Sequence, residues 1–174
     1  MILRKEIEQT AEKKNVARDT IDKDWVLGHF LAAIYSEPTL KKVLIFKGGT
    51  CLKKCWFPDY RFSEDLDFTS REQDFELKKE HLDFICDHVN KHASILTYFA
   101  SLTPLKFDNK LTGYEVVIKF WGANHAKNDV PPSPDRWHSK IKIEVILYEV
   151  LLLDQVDKKI IHDYSDQLAL EPPP

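Results

Sequence analysis

At 174 residues, with 43% hydrophobic and 30% charged side chains, the chain has the size and balance of one globular domain, which excludes a disordered segment. No apolar run approaches the length of a membrane span, and Met-Ile-Leu-Arg-Lys-Glu lacks the apolar stretch of a signal peptide, so a cytoplasmic protein is expected. The net charge of −3 writes no large nucleic-acid footprint into the chain, although residues 1–60 carry 11 basic and 8 acidic side chains against 14 and 20 in 61–174.

Residues 2–14 read as a charged helix. Asp22 is placed to cap a second helix, in which Val26, Leu27, Phe30, Leu31 and Ile34 form a stripe that Pro38 ends. Val43 to Phe46 predicts a short buried strand entering Gly48-Gly49. Residues 50–56 predict a helix starting on that turn, with its amides and dipole facing any anion over the glycines. Asp65 to Phe68 is a strand. Phe75, Leu82, Ile85, Cys86 and Val89 mark one face of a helix over 73–91. Residues 94–101 and 114–121 are further strands, the second with Tyr114, Val116, Ile118 and Phe120 on one side and Glu115 and Lys119 on the other.

Residues 122–136 hold one Gly and three Pro and make a long loop. Trp121 and Trp137 at its ends are expected as core and turn residues rather than a substrate wall. Lys140 to Tyr148 is the clearest strand, with Ile141, Ile143, Val145 and Leu147 on one face and Lys142, Glu144 and Ile146 on the other. After Leu153 the pattern fades into a Pro-Pro-Pro end that reads as a stiff extended tail. Cys51, Cys55 and Cys86 lack any Cys-x-x-Cys spacing and are expected as buried reduced thiols. His88 and His92 share an i, i+4 spacing that a solvated helix face explains without a metal.

The chemistry concentrates in two segments. Phe46-Lys-Gly-Gly-Thr-Cys-Leu-Lys53 offers a Gly-Gly turn with Lys47 and Thr50 beside it. Arg61-Phe-Ser-Glu-Asp-Leu-Asp-Phe68 offers two carboxylates that alternation puts on one face of a strand, with Leu66 and Phe68 turned to the core. Such a pair repels itself unless a cation lies between. Each half also has a plain reading: a tight strand-to-helix turn, and an acidic loop. Glu144, flanked by Ile143 and Val145, is either a third ligand for the pair or a half-exposed sheet residue paired with Lys119 or Lys142. A phosphate-cradling turn next to paired carboxylates is what metal-assisted phosphoryl or nucleotidyl transfer requires.

These two segments, with Lys23-Asp24-Trp25 before them and Ile141-Lys-Ile-Glu-Val145 behind, resemble the AbiEii-type toxin family within the DNA polymerase β-like nucleotidyltransferases, over roughly residues 20–165. The resemblance implies an α/β (α+β) core, a mixed β-sheet flanked by helices. In that core Gly48, Gly49 and Thr50 hold a nucleoside triphosphate, and Asp65 and Asp67 bind Mg²⁺ or Mn²⁺. Glu144 matches a later strand acid as third metal ligand or base, and Lys53 a basic position after the glycines. On this reading Lys47 and Lys53 neutralise phosphate charge, Arg61 does the same or simply anchors the strand, and Ser63 joins the nucleotide contacts.

Members are toxins of bacterial toxin–antitoxin or phage-defence systems, and some transfer nucleotides to tRNA ends. The implied partners are therefore an NTP donor, a tRNA or protein acceptor and a cognate antitoxin. Many relatives continue into a helical half with further Lys and Asp residues. The expectation here is one catalytic core domain over 1–174 without that half. Two other readings stay open: a non-catalytic nucleotide- or partner-binding module with the same core, and phosphotransfer to a protein side chain.

Overall fold

The computed structural model describes residues 1–170; the Pro-rich end at 171–174 lies outside the described residues. Helix α1 (Arg4–Lys14) ends on Asn15 in the left-handed region, at φ 53°. Helix α2 (Arg18–Ser36) buries its apolar stripe and runs up to Glu37. Pro38 ends it and at once opens α3 (Pro38–Val43), because a missing N–H costs nothing at the first helical position; the Glu37 carboxylate caps the turn, accepting from Leu40 N at 2.6 Å. Val43 therefore belongs to a helix, and strand β1 covers Leu44–Lys47.

Helix α4 (Gly48–Cys51) widens into a π-turn over Leu52–Trp56. Strand β2 (Asp65–Ser70) follows, then helix α5 (Lys79–Ala93). That helix starts later than periodicity suggests, since Phe75 and Leu77 are buried from an irregular lead-in. His88 is buried rather than solvated. Strands β3 (Leu96–Phe107) and β4 (Lys110–Trp121) form a long hairpin through Asp108 and Asn109, both at positive φ, and both strands exceed their expected lengths. Pro104 does not break β3, because an edge strand tolerates a missing donor. Strand β5 (Lys140–Ile146) completes the sheet.

The five-stranded sheet has the order β1-β2-β5-β4-β3. Only β2 and β5 run parallel; the other neighbours are antiparallel. One face, carrying Leu66, Phe68, Val116, Ile118, Ile141, Ile143 and Val145, joins Trp25, Phe30, Leu82 and Val89 in a single core. The helices thus cover one face. The alternate residues of β2, β4 and β5 lie on the other, and there the charges sit. The fold class expected from the resemblance, a mixed sheet flanked by helices, is the one observed. No helix among the described residues is long and apolar enough to cross a membrane. All three cysteines are free and half-buried.

Asp22 does not cap α2, whose N-cap is Ala17. It lies within the helix, buried, and accepts from Ala123 N at 2.7 Å, so it anchors the loop after β4. Gly122 lets that loop approach: a Cβ there would stand 2.5 Å from both Asp22 carboxylate oxygens. Trp137 is buried and donates to Pro132 O at 3.0 Å, while Trp121 stacks on His125, so both tryptophans fasten the loop.

Burial pushes the Asp22 carboxyl up to about 6, against the backbone hydrogen bonds from Ala123 and Asn124 that favour its charged form. The folded state thus holds this proton more tightly than the unfolded one. The stability linked to it is complete below the ordinary value of 3.8 and lost as pH rises through about 6. Urea unfolding between those pH values is expected to show Asp22→Asn flatter than the parent by on the order of 2–3 kcal/mol. Equal slopes for the two proteins would show that Asp22 titrates normally.

Residues 147–170 contain neither helix nor strand, yet part of this segment is docked. Ile161 N donates to Lys54 O at 2.6 Å, and Tyr164 Oη donates to Asp24 Oδ2 at 2.7 Å. Asp24 also pairs with Lys54 at 2.8 Å, both side chains buried.

Candidate active site

Alternation in β2 turns Leu66 and Phe68 inward and leaves Asp65 and Asp67 half-buried on the open face. The parallel register then sets Asp67 beside Glu144 and Asp65 beside Lys142. Extending the register both ways gives one row across four strands: Lys47, Asp67, Glu144 and Glu115. Neighbouring strands lie about 5 Å apart, so this row concentrates three carboxylates between a lysine at one end and the β3 hairpin at the other. Glu115 is the member that sequence reasoning did not single out. Its strand was legible, but only the register reveals its neighbour.

Neither lysine proposed as a partner of Glu144 is engaged with it as an ion pair. Lys142 Nζ pairs with Asp65 at 3.4 Å, and Lys119 donates to the carbonyls of Pro134 and Asp135. Asp65 in turn raises the Lys142 ammonium. Burial, then the neighbouring Asp65, pushes the Asp67 carboxyl above its ordinary value, while Lys142 and Lys47 pull the other way. Lys47 is held by Glu149, which also accepts from Thr69; these bonds keep Glu149 below the usual carboxylate range.

The Gly-Gly turn lies directly against this row. Gly48 has φ +79°, and a Cβ on it would fall 2.5 Å from Asp67 Oδ2. Only glycine accommodates both the conformation and the contact. A Cβ on Gly49 would meet Ser63 Oγ at 3.1 Å and an Arg61 guanidinium nitrogen at 3.8 Å. Gly48, Gly49, Arg61, Ser63, Lys47 and Asp67 are therefore gathered at one place, although they come from two separate segments of the chain.

Two expected contacts lie elsewhere. Thr50 is buried and donates its hydroxyl to Asp65 O at 2.6 Å, tying the turn to the start of β2. Lys53 is buried too; its ammonium donates to Pro58 O at 3.0 Å and Tyr60 O at 3.1 Å and lies over the Phe62 ring. Both hold the frame of the site, and neither faces the open side of the turn.

The donor set suits a hard divalent cation, being all oxygen and carried on adjacent strands of one sheet. The oxygens of Asp65, Asp67 and Glu144 do not gather within 4.8 Å of one another, as Asp65 leans to Lys142. Rotation of side chains, without movement of the strands, is what would bring them onto a common ion.

A mixed sheet of this order, with acids on one face and a glycine turn against them, is consistent with a nucleotidyltransferase core. Residues 29–174 match the family described as nucleotidyl transferase AbiEii toxin of a type IV toxin–antitoxin system, and the chain belongs to that family. The resemblance carried by the Gly-Gly and Asp-x-Asp segments is thereby borne out. No curated protein matches the chain.

Proposed function

We propose that the protein is a metal-dependent nucleotidyltransferase that moves a nucleoside monophosphate from an NTP to an acceptor hydroxyl on tRNA or on a protein, acting as the toxin opposite a cognate antitoxin. The observation that carries this reading is the pairing of Asp67 with Glu144 across β2 and β5, with the α-carbon of Gly48 packed against Asp67. Like charges set directly opposite one another across strands serve stability poorly, and a glycine forced to touch one of them serves it no better.

In this reading Gly48 and Gly49 leave the backbone bare so that amides approach the triphosphate. Arg61 and Ser63 lie over Gly49 and contact the same phosphates. Lys47 exchanges Glu149 for the donor's charge. Mg²⁺ or Mn²⁺ held by Asp65, Asp67 and Glu144 would screen the triphosphate and acidify the acceptor hydroxyl. The acceptor oxygen attacks the α-phosphorus, Glu144 receives its proton, the α–β anhydride bond breaks and pyrophosphate leaves. Thr50 and Lys53 position the turn rather than touch the donor.

Thermal melting with each of the four NTPs, with and without Mg²⁺, tests donor binding. A rise of about 5 °C at saturating nucleotide that needs both components is expected. A rise with nucleotide alone, or none with any NTP, would contradict the reading.

A further inference from the structure

We propose that the protein carries a second metal site, a structural zinc site formed by His29, His162 and Asp166, which clamps the C-terminal segment to α2. The three ligand atoms lie within 4.8 Å of one another. They come from two elements far apart in sequence: His29 from the middle of α2, His162 and Asp166 from the docked irregular segment. The side chains are 2%, 6% and 16% exposed.

His29 Nε2 stands 3.1 Å from Asp166 Oδ2, and His162 Nε2 stands 2.8 Å from Asp166 Oδ1. Zinc with nitrogen and oxygen ligands at about 2.0–2.2 Å in a tetrahedron sets neighbouring donors roughly 3.3 Å apart. Each imidazole nitrogen therefore stands within a few tenths of an ångström of that spacing from its own Asp166 oxygen. Both imidazoles already present the same nitrogen to the centre.

The surroundings support the site. Trp25 Nε1 donates to both Asp166 oxygens, at 3.1 Å each, and so fixes the carboxylate's orientation, as a second layer of donors does around metal ligands. Gly28 makes room: a Cβ there would fall 2.9 Å from the His162 ring. A water can take the fourth position. Two imidazoles and one carboxylate select zinc over magnesium, which prefers oxygen throughout. The site lies on α2, on the covered side of the sheet, away from the carboxylate row. Its ion has a holding role and no part in the transfer reaction.

The test uses the whole chain after chelator treatment. Adding ZnCl₂ to about a hundred times its Kd is expected to raise Tm by about 5 °C or more. Adding Co²⁺ is expected to give the visible absorption of a tetrahedral nitrogen–oxygen site. Both responses vanish in His162→Gln and persist in His88→Gln, which removes one of the other adjacent imidazole pair, His88 and His92, with ring centroids 4.5 Å apart. If His162→Gln does not fold, Asp166→Asn carries the comparison. Absence of both responses in the parent chain, their survival in His162→Gln, or their loss in His88→Gln would each overturn the proposal. The cluster would then be a hydrogen-bonded latch only.

Discussion

Asp67→Asn is expected to reduce nucleotide transfer by about a hundred- to a thousandfold while leaving Tm unchanged or slightly higher. The two halves of that expectation have one origin. Burial and the adjacent Asp65 disfavour the Asp67 carboxylate, so its charge is held at a cost to the fold. A group whose folded pKa is raised contributes stability that is present below its ordinary value and lost as pH rises through the raised one. Removing the charge therefore relieves the folded state most at neutral and higher pH. Asparagine keeps the shape and one acceptor, so the contact with Gly48 survives. Transfer assays and melting curves on the purified variant check both halves together. Loss of activity through unfolding would mean that Asp67 holds the sheet together, and the mechanism would lose its main support.

Gly48→Ala is the second large effect. The methyl group would be forced into a left-handed backbone at φ +79° and within 2.5 Å of Asp67 Oδ2. The conformational part costs about 1–2 kcal/mol, equivalent to a fall in Tm of roughly 2–8 °C for a chain of this size. The collision matters more for function, since it drives the Asp67 carboxylate out of the row. Stabilisation by NTP and Mg²⁺ is expected to disappear along with transfer. Gly49→Ala makes the control. Its Cβ would meet a Ser63 hydroxyl at 3.1 Å, the end of a side chain that can rotate away, so donor affinity should fall only severalfold. Comparable losses in the two variants would argue that general stiffening of the turn, and not the Gly48–Asp67 contact, controls donor binding.

The parts of this site that could be read from the sequence are those in which chemistry and periodicity agree within one segment. Asp65 and Asp67 alternate with Leu66 and Phe68, so their shared face followed from strand geometry. Glu144 stood out because an acid between Ile143 and Val145 fits poorly with core packing. The family resemblance carried the fold, which local pattern alone does not fix.

The features that could not be read depend on register and on docking. Nothing local in Tyr114-Glu-Val116 says that Glu115 faces Glu144; that follows from the antiparallel pairing of β4 with β5. Asp22 looked like a cap because an acid near a helix start usually is one, yet α2 begins four residues earlier and its buried face needs an acceptor for the loop after β4. Lys53 and Thr50 carry donors suited to phosphate, and the structure uses both on backbone carbonyls. The segment after Leu153 has no period to detect. It is held by single residues, Ile161, Tyr164 and Asp166, to partners more than a hundred positions away.

The measurement that bears most directly on the central claim follows the label. The chain is incubated with Mg²⁺, a mixture of tRNA and protein acceptors, and each of the four NTPs labelled either at the α- or at the γ-phosphate. The expected result is that α-label enters the acceptor with release of pyrophosphate, that γ-label does not, and that Asp67→Asn cuts the transfer by about a hundred- to a thousandfold. Entry of γ-label would make the reaction a phosphotransfer. Failure of both labels to enter any acceptor would make the core a binding module, and either result would contradict the account.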